Sequence, residues 1–232
     1  MSQALKFNDI HYSYPGTGGN EVLRGVCFTV GNGEKVALLG LNGAGKSTLL
    51  LHTNGLLLPD SGTVEIDGLV LTKKTVDEAR RKVGMVFQNA DDQLFSPTVY
   101  DDVAFGPQMM NLSREEVDKR VNEALDAIGA TKLIDRPTNR LSGGERRMVA
   151  VATVLSMRPS IMVLDEPTSY LDLRAEKALS EILAGLPHAM LLATHNLQLA
   201  RQLCTRAILL ADGKVVFDGP TDEAVDRLEK SV

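Results

Sequence analysis

Tryptophan is absent from this 232-residue chain, aromatic residues make up only 4% of it, and cysteine occurs twice. Cys27 and Cys204 lie far apart without CxxC spacing. That excludes a disulfide-rich secreted scaffold and a thiolate metal cage, and predicts buried, reduced thiols in a cytosolic protein. No apolar run approaches the roughly 18 residues that a membrane-spanning helix needs. The opening Met1-Ser2-Gln3-Ala4-Leu5-Lys6 lacks the charged-then-apolar order of a secretory leader, so the chain itself reads as soluble. A broad basic surface is missing too: 25 Lys and Arg stand against 30 Asp and Glu, a net charge of −5. This balance disfavours a nucleic-acid binder that depends on neutralising many phosphates. The basic pairs Lys73-Lys74, Arg80-Arg81 and Arg146-Arg147 are dispersed and read as solvated faces. There is no internal repeat, low-complexity tract or long linker. The length suits one large domain, or a domain with a lobe inserted in it.

What is present begins with Gly40-x-x-x-x-Gly45-Lys46-Ser47. The apolar run Lys35-Val36-Ala37-Leu38-Leu39 leads into it, and Leu49, Leu50 and Leu51 follow, as in a helix packed on a sheet. Strand, glycine loop and helix form the context that a phosphate-binding loop requires. Glycines let backbone N–H groups turn inward around phosphate oxygens. Lys46 reaches the β- and γ-phosphates, and the Ser47 hydroxyl suits a Mg²⁺ ligand. Gly40, Asn42, Gly43, Ala44, Gly45, Lys46, Ser47 and Thr48 are the candidate nucleotide-binding set. A dinucleotide fingerprint fails because Thr48 stands where a third glycine is needed.

Ile161-Met162-Val163-Leu164, Ala189-Met190-Leu191-Leu192-Ala193 and Ala207-Ile208-Leu209-Leu210 read as further buried strands. Their alternation with helical segments implies an α/β core with a mostly parallel sheet. Residues 5–30 contain short β-like stretches broken by a turn cluster around Pro15 and Gly16. In the middle, Ser113-Arg114-Glu115-Glu116 forms a capping-box pattern, with Glu116 returning to the Ser113 N–H. Val117, Val121, Ala124, Leu125 and Ile128 recur at helical spacing, and Gly129 can end that helix. A second helix is predicted from near Gly143. The strand ending in Leu164 is followed by Asp165 and Glu166. Asp165 suits a hold on Mg²⁺, and Glu166 suits a base that polarises an attacking water. Alone, the pair reads equally as a surface acidic pair; behind a phosphate loop it points to hydrolysis.

Between the loop and that strand end lies Leu141-Ser142-Gly143-Gly144-Glu145. At a helix start, Ser142, Gly143 and Gly144 offer a hydroxyl and backbone N–H groups to a phosphate. A chain with its own phosphate loop uses a second such helix end only for another ATP. Two chains head to tail satisfy both ends and hold two ATPs at their interface.

These motifs in this order resemble the ATP-binding-cassette ATPases over nearly the whole chain. The resemblance implies an α/β phosphate-loop NTPase core with a mostly parallel sheet, an N-terminal antiparallel β subdomain and an inserted helical subdomain. Residues 1–88 and 156–232 would form the nucleotide-binding core, and residues 89–155 the helical subdomain. It implies ATP and Mg²⁺ as ligands, Gln88 and Asp165 joining Ser47 at the ion, and Glu166 as the catalytic base. Tyr14, just before Pro15, matches the aromatic that stacks on adenine, with Tyr12 as a rival. Gln88 matches the glutamine that touches Mg²⁺ and the attacking water and senses a membrane partner. Ser142 and Gly144 match groups that bind the γ-phosphate of the opposing subunit, with Gly143 and Glu145 completing the signature. Ser169-Tyr170-Leu171-Asp172 matches a loop that communicates between sites, and His195 the histidine that contacts the γ-phosphate. Met148 departs from the family pattern, which places a basic residue there, and this puts a supporting ion pair or helix contact in question. His11, His52 and His188 lie in no motif.

The stretch from Gln88 through Asp91-Asp92-Gln93-Leu94-Phe95 to Asp101-Asp102-Val103-Ala104-Phe105-Gly106-Pro107 resembles the ATPases of energy-coupling-factor importers, including cobalt- and nickel-transport systems. That implies a transmembrane coupling protein, a substrate-binding membrane subunit and a second ATPase subunit, a homodimer being favoured because both half-sites are intact. The expected place is the cytoplasmic face of the inner membrane, as a peripheral subunit. Cobalt is the first expectation for cargo, with nickel or a vitamin such as biotin as alternatives. A soluble cassette ATPase acting on DNA or ribosomes, or a phosphate-loop kinase, accounts for fewer of the motifs.

Overall fold

The computed structural model describes residues 3–16 and 18–230. The chain opens with a hairpin of β1 (Gln3–Ser13) and β2 (Glu21–Gly31), both longer than the sequence predicts. It enters β3 (Lys35–Leu39) and turns through the glycine loop into α1 (Lys46–Leu51). β4 (Ser61–Ile66), β5 (Leu69–Val70), α2 (Val76–Lys82) and β6 (Val83–Val86) follow. The helices α3 (Val99–Met109), α4 (Arg114–Ala127) and α5 (Gly143–Leu155) then interrupt the alternation. After them come β7 (Ile161–Asp165), α6 (Leu173–Gly185), β8 (Ala189–Ala193) and α7 (Leu197–Leu203). β9 (Arg206–Ala211), β10 (Lys214–Pro220) and α8 (Thr221–Glu229) complete the described chain.

Two sheets result. One is antiparallel, in the order β2-β1-β4-β5. The other runs β10-β9-β3-β8-β7-β6 and is parallel except for the edge strand β10. This is the α/β phosphate-loop architecture with a helical insertion that the sequence implies.

Alternate residues of the parallel strands feed two cores. Ala37, Leu39, Met162 and Leu164 join the apolar faces of α3 to α8. Val36, Leu38, Ile161 and Val163 join α1, α2 and the antiparallel sheet. A sheet covered on both faces has no polar side, so its strands read as unbroken apolar runs. β6 escaped that reading because it is four residues long and contains a glycine. A Cβ on Gly84 would lie 2.1 Å from Val154 Cγ1, so α5 packs directly on the β6 backbone.

Three local expectations are corrected. Ser113 caps α4, its hydroxyl accepting from the Glu116 N–H at 3.3 Å, but the reciprocal half of the box is not made. Arg120 and Arg158 take the Glu116 carboxylate instead, at 2.9 and 3.2 Å. Cys27 is exposed, not buried, because the period of two in β2 turns Val26 and Phe28 inward and Cys27 outward. Arg147 is not on a solvated face but 3% exposed. As the sequence predicts, α4 ends beside Gly129, which takes a φ of 66°.

Candidate active site

In the parallel sheet β3, β8, β7 and β6 are neighbours in that order. Residues leaving their C-terminal ends are therefore side by side: the glycine loop, His195, Asp165 with Glu166, and Gln88. This is the edge at which open α/β sheets bind ligands. A cleft of about 610 Å³ lies there, lined by Asn42, Gly43, Gly45, Lys46, Ser47, Thr48, Gln88, Asp165, Glu166 and His195, with Val22 contributed by β2.

The loop's shape follows from its glycines. Gly40 has φ 151°, and a Cβ there would meet the Leu210 carbonyl oxygen at 2.3 Å, so the chain passes against β9 where only glycine fits. Gly45 caps α1 in the left-handed region with φ 102°. Lys46 Nζ donates to the Gly40 and Leu41 carbonyl oxygens at 2.7 and 3.1 Å. An ammonium has three donors, so one is left for the cleft. Burial lowers the Lys46 pKa, opposed by the nearby Glu166 and Asp165 carboxylates. Burial raises that of Asp165, opposed by a hydrogen bond from Ser47; Glu166 adds to the rise and Lys46 counters it.

Glu166 sits at φ 46°, a left-handed conformation uncommon for a residue with a Cβ. Its N–H donates to Ala193 O at 2.9 Å, which ties β7 to the end of β8. The carboxylate is nearly buried, and both of its oxygens are held. Oε2 accepts from the Thr194 hydroxyl and the His195 N–H, both at 3.2 Å, and Oε1 lies 2.8 Å from His195 Nδ1. Strain of this kind is found where surrounding contacts over-determine a side chain's position. The His195 ring itself is two-thirds exposed, at 68%.

The donor chemistry fits a hard divalent cation. Ser47 offers a hydroxyl, Gln88 an amide oxygen and Asp165 a carboxylate, oxygen donors of one cleft.

Not every expected residue is gathered there. Ala44 is buried behind the loop in the core shared with the antiparallel sheet. Tyr14 is partly exposed beside the cleft, its hydroxyl 3.1 Å from Thr48 Oγ1. Tyr12 is 6% exposed and packs edge-on against His52, so its face is covered by protein. Ser142, Gly143, Gly144 and Glu145 do not line the cleft. They start α5, where Ser142 and Glu145 form a complete capping box: the Glu145 N–H donates to Ser142 Oγ at 3.3 Å and the Ser142 N–H to Glu145 Oε2 at 2.8 Å. Ser142 and Gly143 are exposed.

The family model for ABC transporters matches residues 23–169, which contain the glycine loop, Gln88, the Ser142 segment and Asp165-Glu166. The chain belongs to the ABC transporter family. An ABC transporter ATPase binds ATP with Mg²⁺, and this chain is one. It is 50% identical over 217 residues to a protein of Geobacter sulfurreducens named as a candidate ABC transporter ATP-binding protein, covering 94% of this chain and 86% of the relative. It is 45% identical over 228 residues to the energy-coupling factor transporter ATP-binding protein EcfA of Methanosphaera stadtmanae, covering 96% and 81%. Among solved structures, cbiO1 of Clostridium perfringens, part of the ABC transporter complex cbiONQ, superposes with a TM-score of 0.88 at 36% identity, covering 99% and 93%. An ATP-binding cassette captured as a dimer in a post-hydrolysis state with ADP and Pi gives 0.83 at 28% identity, covering 94% and 98%.

Residues that the sequence reading missed help build the ABC site. Val22 reaches the cleft from β2, although nothing local distinguishes it from other strand valines. Thr194 holds Glu166, and its position just before His195 was the available signal. The Asn196 side chain accepts from the Leu199 N–H at 3.0 Å, starting α7 directly after His195. Met148 packs partly buried against the core, while its neighbour Arg147 turns the other way and donates to the Phe87 and Gln88 carbonyls.

Proposed function

We propose that this ABC ATPase is the ATP-hydrolysing subunit of an energy-coupling-factor importer, peripheral on the cytoplasmic face of the inner membrane. It dimerises on ATP and drives uptake of a transition-metal ion, cobalt foremost, through a membrane coupling protein and a substrate-binding membrane subunit. Residues 1–88 and 156–232 act as the nucleotide-binding core, and residues 89–155 as the helical subdomain that carries the signature.

The observation that carries this reading is the separation of the two phosphate-binding elements. The cleft around Lys46 contains none of residues 142–145, and Ser142 stands exposed at the start of α5. A second copy placed head to tail brings its Ser142 and Gly144 to this cleft. Within one chain, Lys46 and the loop N–H groups hold the β- and γ-phosphates, and Tyr14 stacks on adenine. Ser47, Asp165 and Gln88 hold Mg²⁺. Held by these residues, the ion would supply positive charge against the charge that builds on the phosphate oxygens. Glu166 accepts the proton of the attacking water as general base. Its two oxygens are fixed by Thr194 and His195, so the carboxylate is oriented before the water arrives. His195 keeps its exposed edge for the γ-phosphate.

The membrane side is a groove between β6 and α3, lined by Phe87, Gln93, Phe95, Asp102, Phe105 and Met157. Phe95 and Phe105 are exposed and stack edge-to-face at 4.9 Å. Exposed aromatics beside a polar floor are the composition of a protein-binding groove. Phe87 lines this groove and the next residue, Gln88, lines the nucleotide cleft, so a docked partner bears on the site through one peptide link.

Purification of the tagged chain from membranes tests the reading, with mass spectrometry of the copurifying proteins and metal analysis of the whole complex. Small polytopic membrane proteins are expected. Nucleic acid or ribosomal proteins in their place overturn it. A bound vitamin in place of a metal ion corrects the cargo alone.

A further inference from the structure

Arg147 is a buried cation whose work is not accounted for by the nucleotide cleft. It lies on α5, just over one turn from Ser142, and is 3% exposed. Its Nη1 donates to the Phe87 carbonyl at 2.5 Å and its Nη2 to the Gln88 carbonyl, while Nε has no partner among the described residues. No carboxylate pairs with it there. Burying an unpaired guanidinium is costly, so its two carbonyl contacts are held against a standing penalty. Burial also lowers its pKa.

Two further side chains tie the same segment to the same helix. Gln93 accepts from the Phe87 N–H at 3.3 Å and donates to Ala150 O and Thr153 Oγ1 on α5, each at 2.8 Å. Arg146, next on the helix, pairs with Asp91 at 2.6 Å. The backbone on both sides of Gln88 is thus bound to one helix. That helix is itself pressed on β6, where Val154 leaves no room for a Cβ on Gly84. At its other end the capping box fixes Ser142 to the first turn of α5.

We propose that Arg147 is a positioning residue that locks the backbone of Gln88 to α5, so that contact made at Ser142 is felt at Gln88. The proposal rests on the assignment of Gln88 to the ion and the attacking water. A phosphate bound at Ser142 belongs to the partner's site, whereas Gln88 belongs to this chain's own. Arg147 therefore links the two ATP sites through one rigid helix, at a point where the planar fork of an arginine holds two carbonyls in a fixed geometry that a lysine's point charge on a flexible stem does not impose.

The test is a double-mutant cycle on the full chain, reading kcat, KM for ATP, ATP affinity without turnover and melting temperature. Arg147→Lys is expected to lower kcat at least ~10-fold with ATP affinity unchanged, because a small misplacement at a reacting centre has effects of that order. In a Gln88→Ala background the same substitution is expected to change kcat less than ~2-fold, since coupled residues are not additive. Arg147→Gln, whose shorter neutral amide lacks both the charge and the guanidinium fork, serves as the second variant and is expected to behave in the same way. Equal losses in both backgrounds, or wild-type kcat in Arg147→Lys, overturn the proposal. If Gln88→Ala alone keeps wild-type kcat, the reading of Gln88 fails and the proposal fails with it.

Discussion

The glycine-loop cleft and the start of α5 use the same chemistry, backbone N–H groups and small side chains at a helix end, yet their surroundings differ. Around Lys46 the chain supplies acid, amide, hydroxyl and imidazole groups from four neighbouring strand ends. Around Ser142 it supplies a capping box, with Arg136 paired to Glu145 at 2.8 Å, and leaves Ser142 and Gly143 exposed. In the first region polar groups are engaged with one another before any ligand binds, as with Glu166 held by Thr194 and His195. In the second the engaged groups are those of the helix cap itself, and Ser142 and Gly143 stand exposed. The contrast teaches that one element is a site and the other half of one, under the proposed head-to-tail arrangement.

The sharpest way to break that contrast is at the centre of the complete region. Glu166→Gln keeps the shape but not the base, and is expected to slow phosphate release by ~10²–10⁴-fold. ATP binding persists and an ATP-bound dimer accumulates on size-exclusion chromatography; a fully active variant rejects Glu166 as base. Ser142→Arg attacks the incomplete region, filling the helix end with bulk and positive charge. Cooperative hydrolysis is expected to vanish while the monomer's nucleotide affinity holds. Lost monomer binding would mean that the signature serves its own chain.

Lys46→Ala has a smaller effect, read as affinity. Losing a charge-assisted contact to phosphate is expected to weaken ATP binding by ~10–100-fold in calorimetry. Unchanged affinity contradicts the loop assignment. The smallest effect is on stability. Burial raises the Asp165 pKa in the folded protein above its unfolded value. Such a group favours the fold fully below its unfolded pKa, and that contribution is lost as pH rises through the folded value. Asp165→Asn removes this dependence. The nucleotide-free variant is therefore expected to melt a few degrees above the parent at neutral pH. The gap should close as pH falls into the carboxylate range; a gap that widens there contradicts the stated cause.

The cleft was legible because its residues fall at strand ends in unbroken apolar runs, and because glycine spacing has a local meaning. Strands 35–39, 161–164 and 189–193 needed only burial on both faces to be read. What escaped depends on contacts far apart in sequence. The neighbour order of β3, β8, β7 and β6 sets who meets whom, and no local pattern states it. Arg147 reads as half of a surface pair until the Phe87 and Gln88 carbonyls are seen beside it. Glu116 fits a capping box by spacing and is drawn off by two arginines, one of them at Arg158. Tyr12 and Tyr14 are equivalent by position and are separated by the buried His52 ring against Tyr12.

The central claim is that each ATP site is shared between two copies. Mixing Lys46→Ala chains with Ser142→Arg chains tests it most directly, by ATPase assay of each variant alone and of the equimolar mixture. In a two-fold dimer the mixed pair contains one site with an intact loop from one chain and an intact signature from the other. At ATP concentrations below the weakened affinity of Lys46→Ala, each variant alone is predicted to hydrolyse little ATP and the mixture to regain hydrolysis, up to about a quarter of the parent rate by random pairing. A mixture no more active than its two components would contradict the shared site.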